Sequence, residues 1–381
     1  MNYDYSLIVE PLIAWFEQEK RILPWRSNSV EEGNPSAYYV WISEIMLQQT
    51  RVEAVKEYFR RFTTELPDVK ALAEVEEDKL LKLWEGLGYY NRARNLQKAA
   101  KIIMTDYNGQ LPADYKALLG LPGIGSYTAG AIASQAYGIA EPAVDGNVLR
   151  VTKRLAGSYD DISKASVKKE LEQTLKEVMP QSVKDGEYNR PGAFNQALME
   201  LGAIVCIPNG KPLCEKCPVR ESCIAYKKDI AMELPVKPSK KGRKLEDKTV
   251  LIIEYQGKYA IHQRGSKGLL AKLWELPNVE GKLSIPMMEK LLKENGILEY
   301  EMELLGEAKH IFSHIEWHML GYKVQIEKVL AESSILEGFE EDTKKNSEKI
   351  GTEAFLWVEK EQIDKEYAIP SAFGAYKKHL L

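Results

Sequence analysis

Cysteine is scarce in these 381 residues: there are four in all, and none lies outside the stretch from 206 to 223. That distribution excludes a disulfide framework spread over the fold, and in a reducing compartment it points to a metal site. Long apolar runs are missing too, since nothing approaches the roughly 18 residues that a membrane-crossing helix needs. The opening MNYDYSLIVEPLIAWFEQEK carries two early acids and lacks the basic start of a secretory signal. We therefore expect a cytoplasmic protein with no membrane partner. An excess of one charge is also lacking. The net charge of −4 leaves the class of partner open, because a basic face can coexist with acids elsewhere.

What is present is the composition of a globular protein, 44% hydrophobic and 28% charged. The length exceeds one ordinary core and predicts two domains. Up to about residue 232, segments such as SAYYVWISEIMLQQTRVEAVKEYFRRF and DKLLKLWEGLG repeat apolar residues every three or four positions, which predicts helices. Breaks at Pro67, Pro112, Gly120 to Gly125 and Pro142 separate them. Apolar periodicity is lost in PVKPSKKGRKLEDK, so we place a linker at 233–247. From 248 to 381 the period becomes two: TVLIIEY, KYAIHQR, LWELP, HIFSHIEWHMLGYKVQI and AFLWVEK read as strands. PMMEKLLKENG and SAFGAYKKHLL read as helices, and EGFEEDTKKNSEK reads as a loop. The expected architecture is an all-α domain (1–232) followed by a smaller α+β domain (248–381).

The cysteines are spaced Cys206-x7-Cys214-x2-Cys217-x5-Cys223. Four thiolates in one loop suit a 4Fe–4S cluster or a tetrahedral zinc, and thiols without metal are a third reading. The unequal spacing favours the cluster, since zinc ribbons pair two short Cys-x2-Cys knuckles and this loop has one.

LLGLPGIGSYTAGAIAS (118–134) is a glycine-bracketed turn between two helical segments. Free amides at the following helix N-terminus form a phosphate site without a basic side chain, although a plain helix–turn–helix corner also uses Gly and Pro. Beyond it Asp145 suits an N-cap, a role compatible with facing a substrate. Arg150, Lys153 and Arg154 follow, either as phosphate holders or as one solvated basic face. Glu44, three residues from both Trp41 and Leu47, falls beside large apolar side chains if the segment is helical. Such surroundings raise a carboxyl pKa and suit a general acid; a structural hydrogen bond is the other reading.

In order, LPWR (23–26), SEIMLQQTRV (43–52), GLGYYNRARNL (86–96), LPGIGSYTAGAI (121–132), VDGNVLR (144–150), FNQALMELGA (194–203), the four cysteines and HIFSHIEWH (310–318) resemble the helix-hairpin-helix DNA glycosylases with an iron–sulfur loop, most closely the MutY-type adenine DNA glycosylases. The resemblance implies double-stranded DNA with an adenine:8-oxoguanine mispair as partner, a monomer, and a 4Fe–4S cluster on Cys206, Cys214, Cys217 and Cys223. It makes Glu44 the acid that protonates adenine at N7 and places Asp145 against the positive charge developing on the sugar, with Tyr127 and Asn147 in support. Arg26 and Gln196 match adenine-pocket positions, Gln49 and Tyr89 match wedges in the base stack, and Gly123 and Gly125 match backbone contacts to DNA. The second domain resembles a Nudix module in which Phe312, Ser313 and His314 read 8-oxoguanine. It lacks the acid-rich metal-binding helix of a hydrolase, since GLLAKLWELPNVEGKLSIPMMEKLL stands in its place. One departure is the first cysteine spacing, seven residues where the family commonly has six; an insertion in NGK accommodates it.

Tyr127 separates the two enzyme readings. In the endonuclease III branch a lysine at this place forms a Schiff base with the sugar, which tyrosine cannot do. The expectation is thus a monofunctional glycosylase. An endonuclease III-like enzyme for oxidised pyrimidines ranks second, and a non-catalytic DNA binder would need neither Glu44 nor Asp145. A nucleotide hydrolase ranks last.

Overall fold

The computed structural model describes residues 3–27, 36–182, 188–238, 242–329 and 355–380. The segment 337–349, expected as a loop, lies outside the described residues. The chain divides into two compact units, one of Met1–Val75 with Asn91–Ser239 and one of Glu76–Tyr90 with Lys240–Leu381. No helix among the described residues is long and apolar enough to cross a membrane.

The first unit is helical apart from one isolated bridge, Asp161 to Val236. Its helices begin with α1 (Val9–Glu19), α2 (Pro24–Ser27), α3 (Ala37–Leu47), α4 (Val52–Glu65) and α5 (Val69–Glu74). Helix α6 (Glu77–Leu83) belongs to the second unit. The first resumes with α7 (Asn91–Asp106), α8 (Tyr115–Leu119), α9 (Ser126–Tyr137), α10 (Gly146–Ala156), α11 (Ala165–Val178), α12 (Arg190–Ile204) and α13 (Ile224–Lys227). Short acids start several of them. Asp68 accepts from the Ala71 amide and Asp114 from the Ala117 amide, each at 2.8 Å.

Helix α12 packs against α1, α9 and α10, and α3 packs on α9. The core joins Leu12 and Phe16 with Val148, Val151 and Leu155 of α10 and Phe194, Leu198 and Leu201 of α12. Spacings of three and four residues put each set on one helix face, and burial of each side chain contributes roughly 1.5–3 kcal/mol. A methyl group added at Gly130 would sit 2.2 Å from the Pro142 carbonyl oxygen. Glycine there lets α9 run against the segment that leads into α10, bringing the start of one helix near the flank of the other.

In the second unit, strands β1 (Lys244–Tyr255), β2 (Lys258–Gln263), β3 (Trp274–Glu275), β4 (Asn278–Glu280), β5 (Ile297–Ile311), β6 (Ile315–Val329) and β7 (Leu356–Val358) form one sheet. The order is β3-β2-β1-β6-β5, with β4 pairing β1 and β7 pairing β2. Strands β1 and β6 are parallel, while β5 and β6 form an antiparallel hairpin. Alternate residues of β1 serve opposite cores: Leu251, Ile253 and Tyr255 meet Met288, Leu291 and Leu292 of helix α14 (Ile285–Glu294), whereas Val250 and Ile252 meet Ile363, Phe373 and Tyr376. Period two with both faces covered explains why this strand is a continuous apolar run. SAFGAYKKHLL, expected as one helix, is a 3-10 turn (Ser371–Phe373) and a single helical turn (Gly374–Lys377). Helix α6 is tied into this unit through Lys82, whose ammonium donates to the carbonyls of Ile363 and Tyr367 at 3.2 and 3.0 Å.

Candidate active site

A pocket of about 620 Å³ opens among α3, α9, α10 and α12 of the first unit. Arg26, Glu44, Gln49, Tyr127, Asp145, Asn147 and Gln196 all line it. Seven of the positions singled out in the sequence are thus brought together.

Glu44, on the buried face of α3, is only 5% exposed, and neighbouring Trp41 is fully covered. The Tyr127 hydroxyl, from the first turn of α9, donates to its Oε2, and the Gln135 amide, from the last turns of the same helix, donates to its Oε1 at 3.1 Å. Burial pushes the Glu44 carboxyl up from its ordinary range; the two donors and the Arg26 charge pull it back, and the Asp145 charge adds to the rise. Tyr127 is pushed far above the usual phenol range by burial and by both acids, so it remains a proton donor at neutral pH.

Asp145 is the N-cap of α10. Its Oδ1 accepts from the Val148 amide and its Oδ2 from the Asn147 side chain, both at 2.8 Å. Burial raises its carboxyl, opposed by these bonds and by the Arg150 charge. The cap and the pocket-lining acid are one residue. Asn147 is held in turn by the Arg150 guanidinium at 2.9 Å.

At the far wall, the Arg26 Nε donates to Gln196 Oε1 at 2.9 Å and its Nη2 to Glu200 Oε2 at 3.0 Å. Glu200, 1% exposed, also accepts from the Arg21 backbone amide and twice from its guanidinium. Burial raises the Glu200 carboxyl, but the two guanidiniums outweigh it and hold it below its ordinary range. Sequence reasoning missed Glu200, Arg21 and Gln135. Glu200 was within reach, since it lies four residues from Gln196 and thus on the same helix face.

Residues 42–177 match the HhH-GPD superfamily of base excision DNA repair proteins, and residues 249–379 match the NUDIX domain. The adenine DNA glycosylase of Mus musculus is 34% identical over 87% of this chain and 73% of its own length. That of Buchnera aphidicola (Schizaphis graminum strain) is 32% identical over 83% of this chain and 86% of its own. The chain belongs to the adenine DNA glycosylase family. Among solved structures, a thermostable thymine-DNA glycosylase is 29% identical, covering 58% of this chain and 96% of its own, with a TM-score of 0.49. The expected fold, a helix-hairpin-helix domain followed by a Nudix-like α+β domain, is the one this family member has.

The hairpin of this glycosylase relative is α8, the turn 120–125 and α9. Gly123 has φ +78°, and a methyl group there would lie 2.8 Å from the Asn95 Cβ. Gly125 is extended, with open space around it, and is the N-cap of α9. Of the non-glycine residues that adopt the left-handed backbone, two are positions singled out in the sequence: Gln49, at φ +58°, and Tyr89, at φ +48°. Strain of this kind persists where the surroundings impose it.

In the second unit, Phe312, Ser313 and His314 form the turn between β5 and β6, closed by the Phe312 amide donating to the Ile315 carbonyl at 2.8 Å. Phe312 is anchored edge-on to Trp317 at 4.8 Å, while Ser313 and His314 are exposed. The Tyr89 and Ser313 hydroxyls are hydrogen-bonded at 2.5 Å, so a motif near residue 89 meets one near residue 313 inside the same unit.

The four cysteines are half-buried and free, and all line one cavity of about 30 Å³ with Val151, Leu155 and Leu201. Among the described residues no three His, Cys, Asp or Glu converge as they would on a single metal ion. Burial and the neighbouring thiols push Cys217 up to about 12, and burial raises Cys214 and Cys223 as well. The Arg154 guanidinium donates to the Cys206 sulfur at 3.3 Å. This corrects the expectation for the basic residues of α10. Arg150, Lys153 and Arg154 are each under 10% exposed. The two arginines donate to the carbonyls of Gly202, Cys206, Ile207 and Leu234, and Lys153 pairs with Asp160. They are neither a solvated face nor open to phosphate. The physical reason is that carbonyls beside α10, at the end of α12 and in the segments that follow it, need donors.

Proposed function

We propose that this chain excises adenine paired with 8-oxoguanine or guanine in DNA by hydrolysing its N-glycosidic bond. The observation that carries the reading is a pair of buried carboxyls lining one pocket with different partners: Glu44, bonded to the Tyr127 hydroxyl and the Gln135 amide, and Asp145, held by the Val148 amide and the Asn147 side chain. An oxocarbenium-like transition state calls for one group that gives a proton to the leaving base and one that faces the positive sugar. With the adenine flipped from the stack, Glu44 protonates N7, the bond from the base nitrogen to C1′ breaks, and water supplies the hydroxyl at C1′ and the proton that returns to Glu44. Asn147 and Tyr127 orient the two acids, and Arg26 and Gln196 line the base-binding wall. Gln49 and Tyr89 fill the gap in the stack, while amides near Gly123 and Gly125 hold a phosphate. Tyr127, having no amine, forms no Schiff base, so the enzyme is monofunctional.

Phe312, Ser313 and His314 read 8-oxoguanine in this proposal. Cys206, Cys214, Cys217 and Cys223 hold a 4Fe–4S cluster, supported by four thiols around one small cavity with a cationic donor on one sulfur. When bound, that group fastens the loop 206–223 as a structural crosslink. A monomer in the cytoplasm, where thiols remain reduced, fits the same reading. The deciding experiment is single-turnover reaction with an adenine:8-oxoguanine duplex, with and without alkali. Breaks only after alkali are expected. Breaks without alkali would make the enzyme a lyase, and intact strands in both samples would remove adenine as the target.

A further inference from the structure

Glu44 sits where three elements meet, and the groups facing it are Tyr127 from α9, Asp145 at the start of α10 and Arg26 from α2. Tyr127 serves Oε2. Among the described residues, the only hydrogen bond to Oε1 comes from Gln135. Gln135 is 5% exposed on a helix whose other buried residues are small or apolar, Ala129, Gly130, Ala131, Ile132 and Ala133 among them. A primary amide in such a place is unfavourable unless it is bonded, and its N–H is spent on one carboxyl oxygen that lines the pocket.

We propose that Gln135 is a positioning residue for the general acid: its amide clamps Oε1 of Glu44 while Tyr127, two turns earlier on the same helix, clamps Oε2. The inference rests on the role proposed above for Glu44. The chemistry of the donor matters. A cation at this place would lock Glu44 as a carboxylate, useless as an acid. An aliphatic side chain would leave Oε1 without a partner and the carboxyl free to rotate. A neutral N–H restrains the group in both protonation states, yet favours the carboxylate modestly. Gln135 therefore lowers the pH at which the acid loses its proton and holds that proton in a productive direction.

The test uses the full-length chain with Gln135→Leu and Gln135→Met, the second being unbranched and of similar length, so that packing is preserved in at least one. Single-turnover excision from an adenine:8-oxoguanine duplex is followed from about pH 5 to about pH 9, with melting temperature and duplex affinity measured alongside. Loss of the donor should move the alkaline limb of the profile up by about one pH unit and lower the maximal rate roughly tenfold, leaving duplex affinity within about twofold. An unmoved limb in both variants, with Glu44→Gln inactive, would overturn the inference and leave the proposed function standing. Full excision by Glu44→Gln would overturn both.

Discussion

At the scale of single residues, the two buried glutamates of the pocket pull stability in opposite directions with pH. Glu44 has its carboxyl raised by burial, so the folded chain holds this proton more tightly than the unfolded one. Its contribution is complete below the unfolded pKa and is lost as the pH climbs through the folded one. Glu44→Gln should consequently melt higher than the parent at about pH 8, with the gain shrinking toward about pH 5. Calorimetry at the two pH values decides, and a gain that does not depend on pH would contradict the assignment. Glu200 is the reverse case. Arg21 and Arg26 overcome its burial and hold it low, so its contribution is present above the unfolded pKa and fades as the pH falls. Glu200→Gln leaves two guanidiniums without their anion and should lose roughly 3 kcal/mol in urea unfolding. Excision should weaken with it, because Arg26 is also the partner of Gln196.

At the scale of elements, the hairpin offers a contrast between neighbours. Gly123→Ala meets both a left-handed backbone and the Asn95 side chain, and should lose on the order of 1–3 kcal/mol of stability. Gly125→Ala meets ordinary backbone and open space. It should fold as the parent does yet bind duplex more weakly if the start of α9 approaches a phosphate. Unfolding curves and a binding titration on both variants separate the roles. The elements themselves were legible because burial imposes a period: three to four along α10 and α12, two along β1. Asp145 as a cap was legible for the same local reason. Gln135 was not, since a lone glutamine in TAGAIASQAY looks like any solvated position until α3 is laid against α9. Arg150 and Arg154 misled because their stems are compatible with a surface stripe, and their partners are carbonyls some fifty residues or more away in sequence. Helix α6 was legible as a helix, but nothing local says which unit it packs into.

For the whole molecule, the exposed turn at Ser313 and His314 should govern preference rather than chemistry. Replacing both by Ala should narrow the ratio of excision opposite 8-oxoguanine to that opposite guanine, roughly tenfold for two lost hydrogen bonds of about 0.7 kcal/mol each. The single-turnover rate with guanine should stay nearly constant. An unchanged ratio would place recognition elsewhere. The grouping of Glu76–Tyr90 with Lys240–Leu381 carries a further consequence for heredity. A gene fragment exchanged at the linker alone would deliver the sheet without α6, leaving the carbonyls of Ile363 and Tyr367 without Lys82 and Ser313 without Tyr89. The two units are thus poorly suited to being traded at the linker, and change in the sheet is expected to be inherited together with change in the fifteen-residue segment of its own unit that the chain carries between two parts of the first.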